Sequence, residues 1–282
     1  MFRIRVAASS ANLGVGFDVL GLALNLYNTF TFKRSTSFHF RGFSEEYSTL
    51  ETNLVYKSYI EVFRYLECEP IPVEIGGEFE IPIKRGLGSS SSLIVAGVFG
   101  ANALLGNPLD KRTLFNICTE IEGHPDNVCP AIYGGLTSAL KRDDTYEAFK
   151  YKVSDRLHFS VLIPPYEVET KKARKILPLA LTYNDVVHNM SRIILLPRAF
   201  REGRITLLRD LLDDKLHEPY RGKLIRGYNE IKEALRRRGA VSCISGSGST
   251  ILIISNKEIE YSFSDYKFIA VKPGDGILVE EI

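Results

Sequence analysis

The apolar positions of this chain change period several times, and each change marks an element. Residues 2–7 alternate apolar and polar side chains, as do Leu26–Phe32 and the apolar residues around Phe38–Phe43, the two-residue period of half-buried strands. Asn53 is placed to cap a helix through about Leu66. Pro72–Ile83 reads as a hairpin that turns at Gly76-Gly77. Leu93–Leu105 is Ala-rich, apolar and long enough for a buried helix, and a further helix starts at Asp110 or Thr113 and ends near Gly123. His124-Pro125-Asp126-Asn127 opens a short helix, because proline suits a first helical turn and an acidic side chain favours the positive helix end; Gly134-Gly135 stops it. Beyond it the pattern predicts strands at Leu136–Leu140, Ala148–Val153 and His158–Ile163, helices at Lys171–Leu177, Asp185–Arg201 and Lys223–Arg238, and strands at Val241–Ser245, Thr250–Ile254 and Lys267–Val271. Between the charged turn at Lys141–Asp144 and the connection at Pro164-Pro165 we expect a domain boundary near residue 150, giving units 1–150 and 151–282. Strands and helices mixed in both halves predict an α+β fold.

Bulk properties narrow the classes of function. The chain has 282 residues, 45% of them hydrophobic and 25% charged, enough to build a core that needs no covalent staples. Net charge is only +2, and the Lys and Arg residues are scattered, which argues against nucleic acid as the main partner. The four cysteines, Cys68, Cys118, Cys129 and Cys243, form no C-x-x-C pair, so neither a zinc knuckle nor a disulfide framework is expected and a cytoplasmic setting is the default. The N-terminus lacks the apolar core of a signal peptide, and no apolar stretch is long enough to span a membrane.

Three loops carry candidate chemistry. In Pro82–Ser92 the glycines Gly86 and Gly88 admit a phosphate to the backbone, and a helix starting just after them points unpaired N–H groups at it. The hydroxyls of Ser89, Ser90, Ser91 and Ser92 add donors, one of which could reach a magnesium ion, and Lys84 and Arg85 put positive charge at the rim. No Lys-Ser or Lys-Thr follows Gly88, so this is not a Walker loop, and the spacing is not that of a dinucleotide loop. In Ala7–Asp18, Asn12 offers donors and an acceptor and Asp18 a carboxylate for an ammonium group; alone, the segment reads better as an ordinary turn with an Asx hydrogen bond. Gly239–Thr250 alternates glycines with hydroxyl residues and fits either a phosphate or acceptor contact or a plain hairpin turn. Between the second and third loops stands Glu120–Asn127, whose carboxylates suit hard magnesium and whose His124 is a base, a substrate partner or a structural histidine. Cys118 and Cys129 beside it read as packing residues.

Taken together and in this order, the loops resemble the GHMP small-molecule kinases, most nearly the homoserine kinase branch. Ser9–Asp18 resembles S-S-A-N-L-G-x-G-F-D, Gly86-Leu87-Gly88-Ser89-Ser90 resembles the G-L-G-S-S core, Glu122–Asn127 resembles the segment before an A-x-x-G-G turn at Ala131–Gly135, and Gly239–Thr250 resembles the third motif. Val15 and Ser249 stand where proline is common, and Ser91 and Ser92 where small apolar residues are usual, which bears on loop stiffness more than on chemistry. The resemblance implies a ribosomal-S5-like N-terminal domain, a ferredoxin-like C-terminal domain, and ATP-dependent phosphorylation of L-homoserine with Mg2+. It implies that Gly86–Ser92 wrap the phosphates, that Glu120 rather than Glu122 holds magnesium with Ser89, that Asn127 lies near the reacting hydroxyl, and that Asn12, Asp18, His124, Arg174, Arg221 and Gly246 surround the amino acid. Arg174 and Arg221 are suited to grip a carboxylate and Asp18 an ammonium, while alignment rather than a dedicated base would drive transfer. The alternatives are a mevalonate or sugar kinase of the same family and a non-catalytic nucleotide-binding regulator. A homodimer is the expected assembly.

Overall fold

Two sheets organise the chain in the computed structural model, which describes residues 1–282. The first half runs β1 (Phe2–Ala11), β2 (Leu20–Arg34), β3 (His39–Arg41), α1 (Leu54–Tyr65), β4 (Val73–Phe79), α2 (Ser89–Leu104), α3 (Lys111–Glu122), α4 (Pro125–Tyr133), β5 (Leu136–Arg142) and β6 (Thr145–Tyr151). The second half runs β7 (His158–Ile163), α5 (Thr170–Lys175), α6 (Tyr183–Ile193), α7 (Leu196–Glu202), α8 (Ile205–Leu211), α9 (Glu218–Arg221), α10 (Tyr228–Arg237), β8 (Val241–Ile244), β9 (Ile251–Ser255), β10 (Lys267–Val271) and β11 (Leu278–Glu281). The first sheet has the order β11-β1-β2-β4-β3, with β5 joining β2 and β6 joining β5; the second has the order β10-β7-β9-β8. All pairings are antiparallel except β3 with β4. The sheet changes between Tyr151 and His158, next to the expected boundary, but β11 returns to pair with β1, Phe2 opposite Glu281.

The local signals explain most element ends. The Asn53 side chain accepts from the Tyr56 N–H and starts α1, the Asp110 carboxylate accepts from the Thr113 N–H and starts α3, and Gly123 ends α3 in the left-handed region. One core packs α1, α2, α3 and α4 against β1, β2 and β4 through residues such as Ile4, Phe32, Tyr59 and Val95, and α2 is buried nearly all round, which accounts for its unbroken apolar sequence. A second core joins Leu22, Phe159, Phe200 and Leu252 across the two sheets, and a third seats α10 on β8 and β9.

Three expectations are corrected. Gly76 and Gly77 lie inside β4, opposite Thr31 and Phe30, and make no turn; a Cβ at Gly76 would collide with Thr31 Oγ1, so the glycines serve close strand approach. The single helix expected over Asp185–Arg201 is two helices, with Pro197 in the first turn of α7, where its missing N–H costs nothing. The helix expected over Lys223–Arg238 begins only at Tyr228, after Gly227 at φ 71°. The three elements α8, α9 and β11 lie outside the segments that the pattern predicts.

Candidate active site

The phosphate-loop candidate is held in shape from both sides. Gly86 and Gly88 adopt φ 74° and 69°, and a Cβ on either would collide with the Ser245 carbonyl oxygen or with Ser9 Oγ. Both glycines are therefore required by conformation and by space. Gly88 is the N-cap of α2, whose first turn is Ser89–Ser92. The first bond around that turn is from Ser92 N–H to Gly88 O, so the preceding amides of Ser89, Ser90 and Ser91 have no intrahelical acceptor and point out of the helix end. The third loop lies against this turn: Ser245 Oγ donates to Gly86 O at 2.6 Å, and Gly246 N–H donates to Ala11 O in the first loop. It is the connection between the antiparallel strands β8 and β9, as the hairpin reading expects, and it also packs on the glycine turn.

The carboxylate facing this turn is Glu122. Ser90 Oγ and Ser91 Oγ donate to Glu122 Oε1 at 2.9 and 2.7 Å, and Glu122 lines the adjoining cavity. Burial, opposed by Ser91, His124 and Ser90, raises its carboxyl pKa above the ordinary value. Glu120 is exposed, bonds nothing in the loop and does not line the cavity, so of the two carboxylates expected near the phosphates only Glu122 meets the turn. Helical geometry gives the reason, since residues two apart on α3 project to opposite faces. The hydroxyls that reach the carboxylate are likewise those of Ser90 and Ser91, not Ser89. Ser92 is turned inward, where it donates to Ser89 O and accepts from Asn28.

Asn127, on the first turn of α4, sits beside Gly88. Its Oδ1 accepts from Ser9 Oγ at 2.9 Å, while its amide nitrogen bonds no other group of the protein. His124, the N-cap of α4, contacts the buried Asp126 through Nδ1 and Oδ1 at 2.6 Å. Burial works to lower the His124 pKa, but the Asp126 hydrogen bond and the charges of Asp126 and Glu122 outweigh it and raise it above 6.5.

At the other end of the same cavity, Arg174 of α5 donates two hydrogen bonds to Asp18, at 2.8 and 2.9 Å. Arg221 of α9 is 2% exposed, and its protein partners are two carbonyls, Ala173 O at 3.2 Å and Gly246 O at 3.1 Å. Burial, then the nearby Arg174 charge, pull its pKa down to about 10. Phe17 is stacked on His217, with its ring centroid 5.0 Å from the Arg221 guanidinium and 5.8 Å from that of Arg174. Asn12 is committed to the loop, with Nδ2 on Gly246 O and Oδ1 accepting from Asp18 N–H. Arg85 is likewise engaged, with Pro164 O, Pro165 O and Glu167, and Lys84 lies 3.6 Å from Glu167.

The glycine turn, Glu122 and Asn127 at one end and Asp18, Arg174 and Arg221 at the other line one cavity of about 890 Å³. Its wall beyond Lys84 is formed by Phe43, Tyr47, Leu54, Phe79, Ile83 and Leu93, an apolar compartment next to the glycine turn. Phe43, Tyr47 and Phe79 carry no motif and come together only through the pairing of β4 with β2 and of β3 with β4, so the sequence pattern missed them. A larger open groove, about 1790 Å³, lies between β6, β7 and β10; of the motif residues only Gly135, at the end of the turn after α4, reaches it. No group of three or more His, Cys, Asp or Glu converges anywhere, and no helix is long and apolar enough to cross a membrane.

Comparison with known proteins gives consistent matches. Residues 53–135 match the GHMP kinases N terminal domain and residues 198–261 the GHMP kinases C terminal domain. A homoserine kinase of Clostridium beijerinckii is 39% identical over 276 residues, 96% of this chain and 92% of that protein. The crystal structure of homoserine kinase from Cytophaga hutchinsonii superposes with TM-score 0.86 at 27% identity, covering 99% of this chain and 97% of that one. Streptococcus pneumoniae phosphomevalonate kinase, 14% identical over 96% of this chain and 98% of that one, has TM-score 0.74 and shares the fold.

Proposed function

This chain belongs to the GHMP kinase family, and we propose that it transfers the γ-phosphate of ATP to the side-chain hydroxyl of L-homoserine, giving O-phospho-L-homoserine and ADP. The observation that carries the amino acid acceptor is Arg221, a buried guanidinium with only carbonyl partners, lining the cavity that also holds Asn127 and the Gly86–Ser92 turn. A planar carboxylate is the ligand that such a group lacks. Asp18 and Arg174 neutralise each other until a zwitterion arrives, whose carboxylate and ammonium can exchange with the two partners of that pair. A sugar brings neither charge. The alternatives within the family are weaker on this ground, and the intact glycine turn and Glu122 weigh against a non-catalytic regulator.

The residues divide by role. Residues 1–150 would carry the nucleotide, with adenine in the apolar compartment at Phe43, Tyr47 and Phe79 and the phosphates on the Ser89–Ser91 amides. Glu122 with the hydroxyls of Ser90 and Ser91 presents hard oxygen donors that fit Mg2+. When bound, the ion neutralises charge on the β- and γ-phosphates. The free amide of Asn127 donates to the homoserine hydroxyl oxygen and aligns it with the γ-phosphorus, while Ser9 fixes the rotamer of Asn127 through Oδ1. The oxygen–phosphorus bond forms as the bond to the ADP oxygen breaks, and the hydroxyl proton passes to an oxygen of the transferred phosphoryl group. Asp126 is engaged by His124 and is not required as a base.

A panel of acceptors assayed for ADP release tests this reading. Homoserine should exceed mevalonate, shikimate and galactose in kcat/KM by a factor on the order of 100 or more, the discrimination available to a site with buried groups awaiting a partner. Turnover of mevalonate without turnover of homoserine would overturn it.

A further inference from the structure

Arg221 reaches the cavity from a helix too short to hold itself. Helix α9 is the single turn Glu218–Arg221, closed by bonds from the Tyr220 and Arg221 N–H groups to His217 O at 3.1 and 2.9 Å. One such turn does not offset the entropy of fixing its residues, so the placement of Arg221 comes from contacts outside the helix. At the start of the turn, Asp214 Oδ2 accepts from the His217 and Glu218 N–H groups at 2.7 and 2.8 Å. The further tie is Glu218 itself, a carboxylate only 3% exposed. Its Oε1 accepts from the Ile244 N–H at 2.8 Å. Its Oε2 accepts from Tyr228 OH at 2.7 Å and from Lys232 Nζ at 2.8 Å, both on α10. Burial works against the Lys232 charge, but the charge and hydrogen bond of Glu218 hold its pKa above the ordinary value. The buried carboxylate thus has a cationic partner and three donors, which is what keeps such a group inside a protein.

Glu218 stands at a fork. Ile244 is the last residue of β8 and leads through Ser245 to Gly246, whose carbonyl accepts from Arg221 Nη1 at 3.1 Å. Along the other branch, Arg221 follows Glu218 at the far end of the same turn. Glu218 therefore fixes both members of the Arg221–Gly246 contact, the guanidinium through α9 and the carbonyl through the third loop. An acid and a base three apart on a helix ordinarily pair with each other. Here the three donors occupy Glu218, and Arg221 keeps only its two carbonyl partners, open to a carboxylate that arrives with the acceptor. We propose, on the reading of Arg221 as the carboxylate grip, that Glu218 is a positioning residue for the acceptor: held by Ile244, Tyr228 and Lys232, it sets the Arg221 guanidinium where the acceptor carboxylate meets it.

A double-mutant cycle in steady-state kinetics tests this role. Glu218→Gln keeps the side-chain volume but cannot neutralise Lys232. It should raise the homoserine KM about tenfold, with kcat within about twofold of wild type and the ATP KM unchanged, because a displaced guanidinium weakens the grip on the acceptor alone. In an Arg221→Ala background the same substitution should change the homoserine KM by less than about twofold, since no guanidinium is left to place. A residue that served only the fold would cost the same factor in both backgrounds. Tyr228→Phe removes one of the three donors and keeps the ring, so it costs the fold less and gives the cycle a second, milder arm. It should raise the homoserine KM about threefold, again only where Arg221 is present. Equal factors in the two backgrounds, or a homoserine KM that Arg221→Ala raises and neither Glu218→Gln nor Tyr228→Phe moves, overturn the positioning role alone. A homoserine KM unmoved by Arg221→Ala overturns the carboxylate grip together with it.

Discussion

The two ends of the cavity are built by different means. At the phosphate end the groups that matter are neighbours in sequence: two left-handed glycines, a run of serines and the start of a helix, all within Gly86–Ser92. At the acceptor end they come from far apart, Asp18 reaching across 156 positions to Arg174, and Arg221 closing on Gly246 and Ala173. Backbone amides cannot be exchanged for other side chains without rebuilding the turn, whereas each acceptor contact depends on a single replaceable side chain. The phosphate end is thus suited to be shared among kinases, and the acceptor end to differ between them. Substitutions at the first should therefore lower kcat, and those at the second should raise the KM of the amino acid.

The largest effect is expected where charge faces the transferring phosphoryl group. Glu122→Gln should lower kcat by about 100- to 1000-fold in steady-state ADP assays, because the charge acts on the transition state. Glu120→Ala, on the exposed face of α3, should stay within about twofold of wild type. A large loss in the Glu120 variant with none in Glu122→Gln would break the assignment of Glu122. Next comes Arg221→Ala, which removes the buried guanidinium and should raise the homoserine KM about 30- to 100-fold while leaving the ATP KM unchanged. If the ATP KM rose instead, Arg221 would belong to the nucleotide end and the contrast between the two ends would fail. Smaller again is Gly88→Ala. A left-handed alanine colliding with Ser9 Oγ should cost about 1–3 kcal/mol in thermal unfolding and weaken ATP binding more than homoserine binding.

This contrast also governs what was legible in the sequence. Helix caps at Asn53, Asp110 and Gly123, and the glycine–serine turn, are local events and could be read directly from residue type and spacing. Gly76-Gly77 misled because glycine signals either a turn or a close approach, and only the pairing with Thr31 distinguishes them. Motif alignment points to Glu120 because it counts residues along the chain, whereas the face of α3 that meets Ser90 and Ser91 carries Glu122. The mutual pairing of Asp18 and Arg174 was not foreseen either, since two residues each matched to a substrate group by charge are also matched to one another. Phe43, Tyr47 and Phe79 gave no signal, as an apolar wall assembled by strand pairing has no motif of its own.

The smallest effect sharpens the comparison by showing that the two ends are electrically joined. The His124 pKa is lowered by burial and raised, on balance, by the Asp126 hydrogen bond, by the Asp126 charge and by Glu122. A histidine whose folded value lies above its unfolded value contributes stability that is full below the unfolded pKa, about 6.5, and is lost as pH rises through the folded one. The advantage of wild type over His124→Gln in melting temperature should accordingly shrink between pH 6 and pH 8. In Asp126→Asn the Asp126 charge is gone and its hydrogen bond is weakened to one with a neutral acceptor, while burial and the Arg174 charge remain, so the His124 titration followed by NMR should move downward and the pH trend should weaken or reverse. Glu122→Gln should move it the same way by less, since it removes a charge but no hydrogen bond. Linkage makes that shift reciprocal: the charge that His124 carries at the acceptor end also lowers the pKa of Glu122 at the phosphate end. A His124 midpoint unmoved in Asp126→Asn would remove this coupling and leave the two ends as independent half-sites.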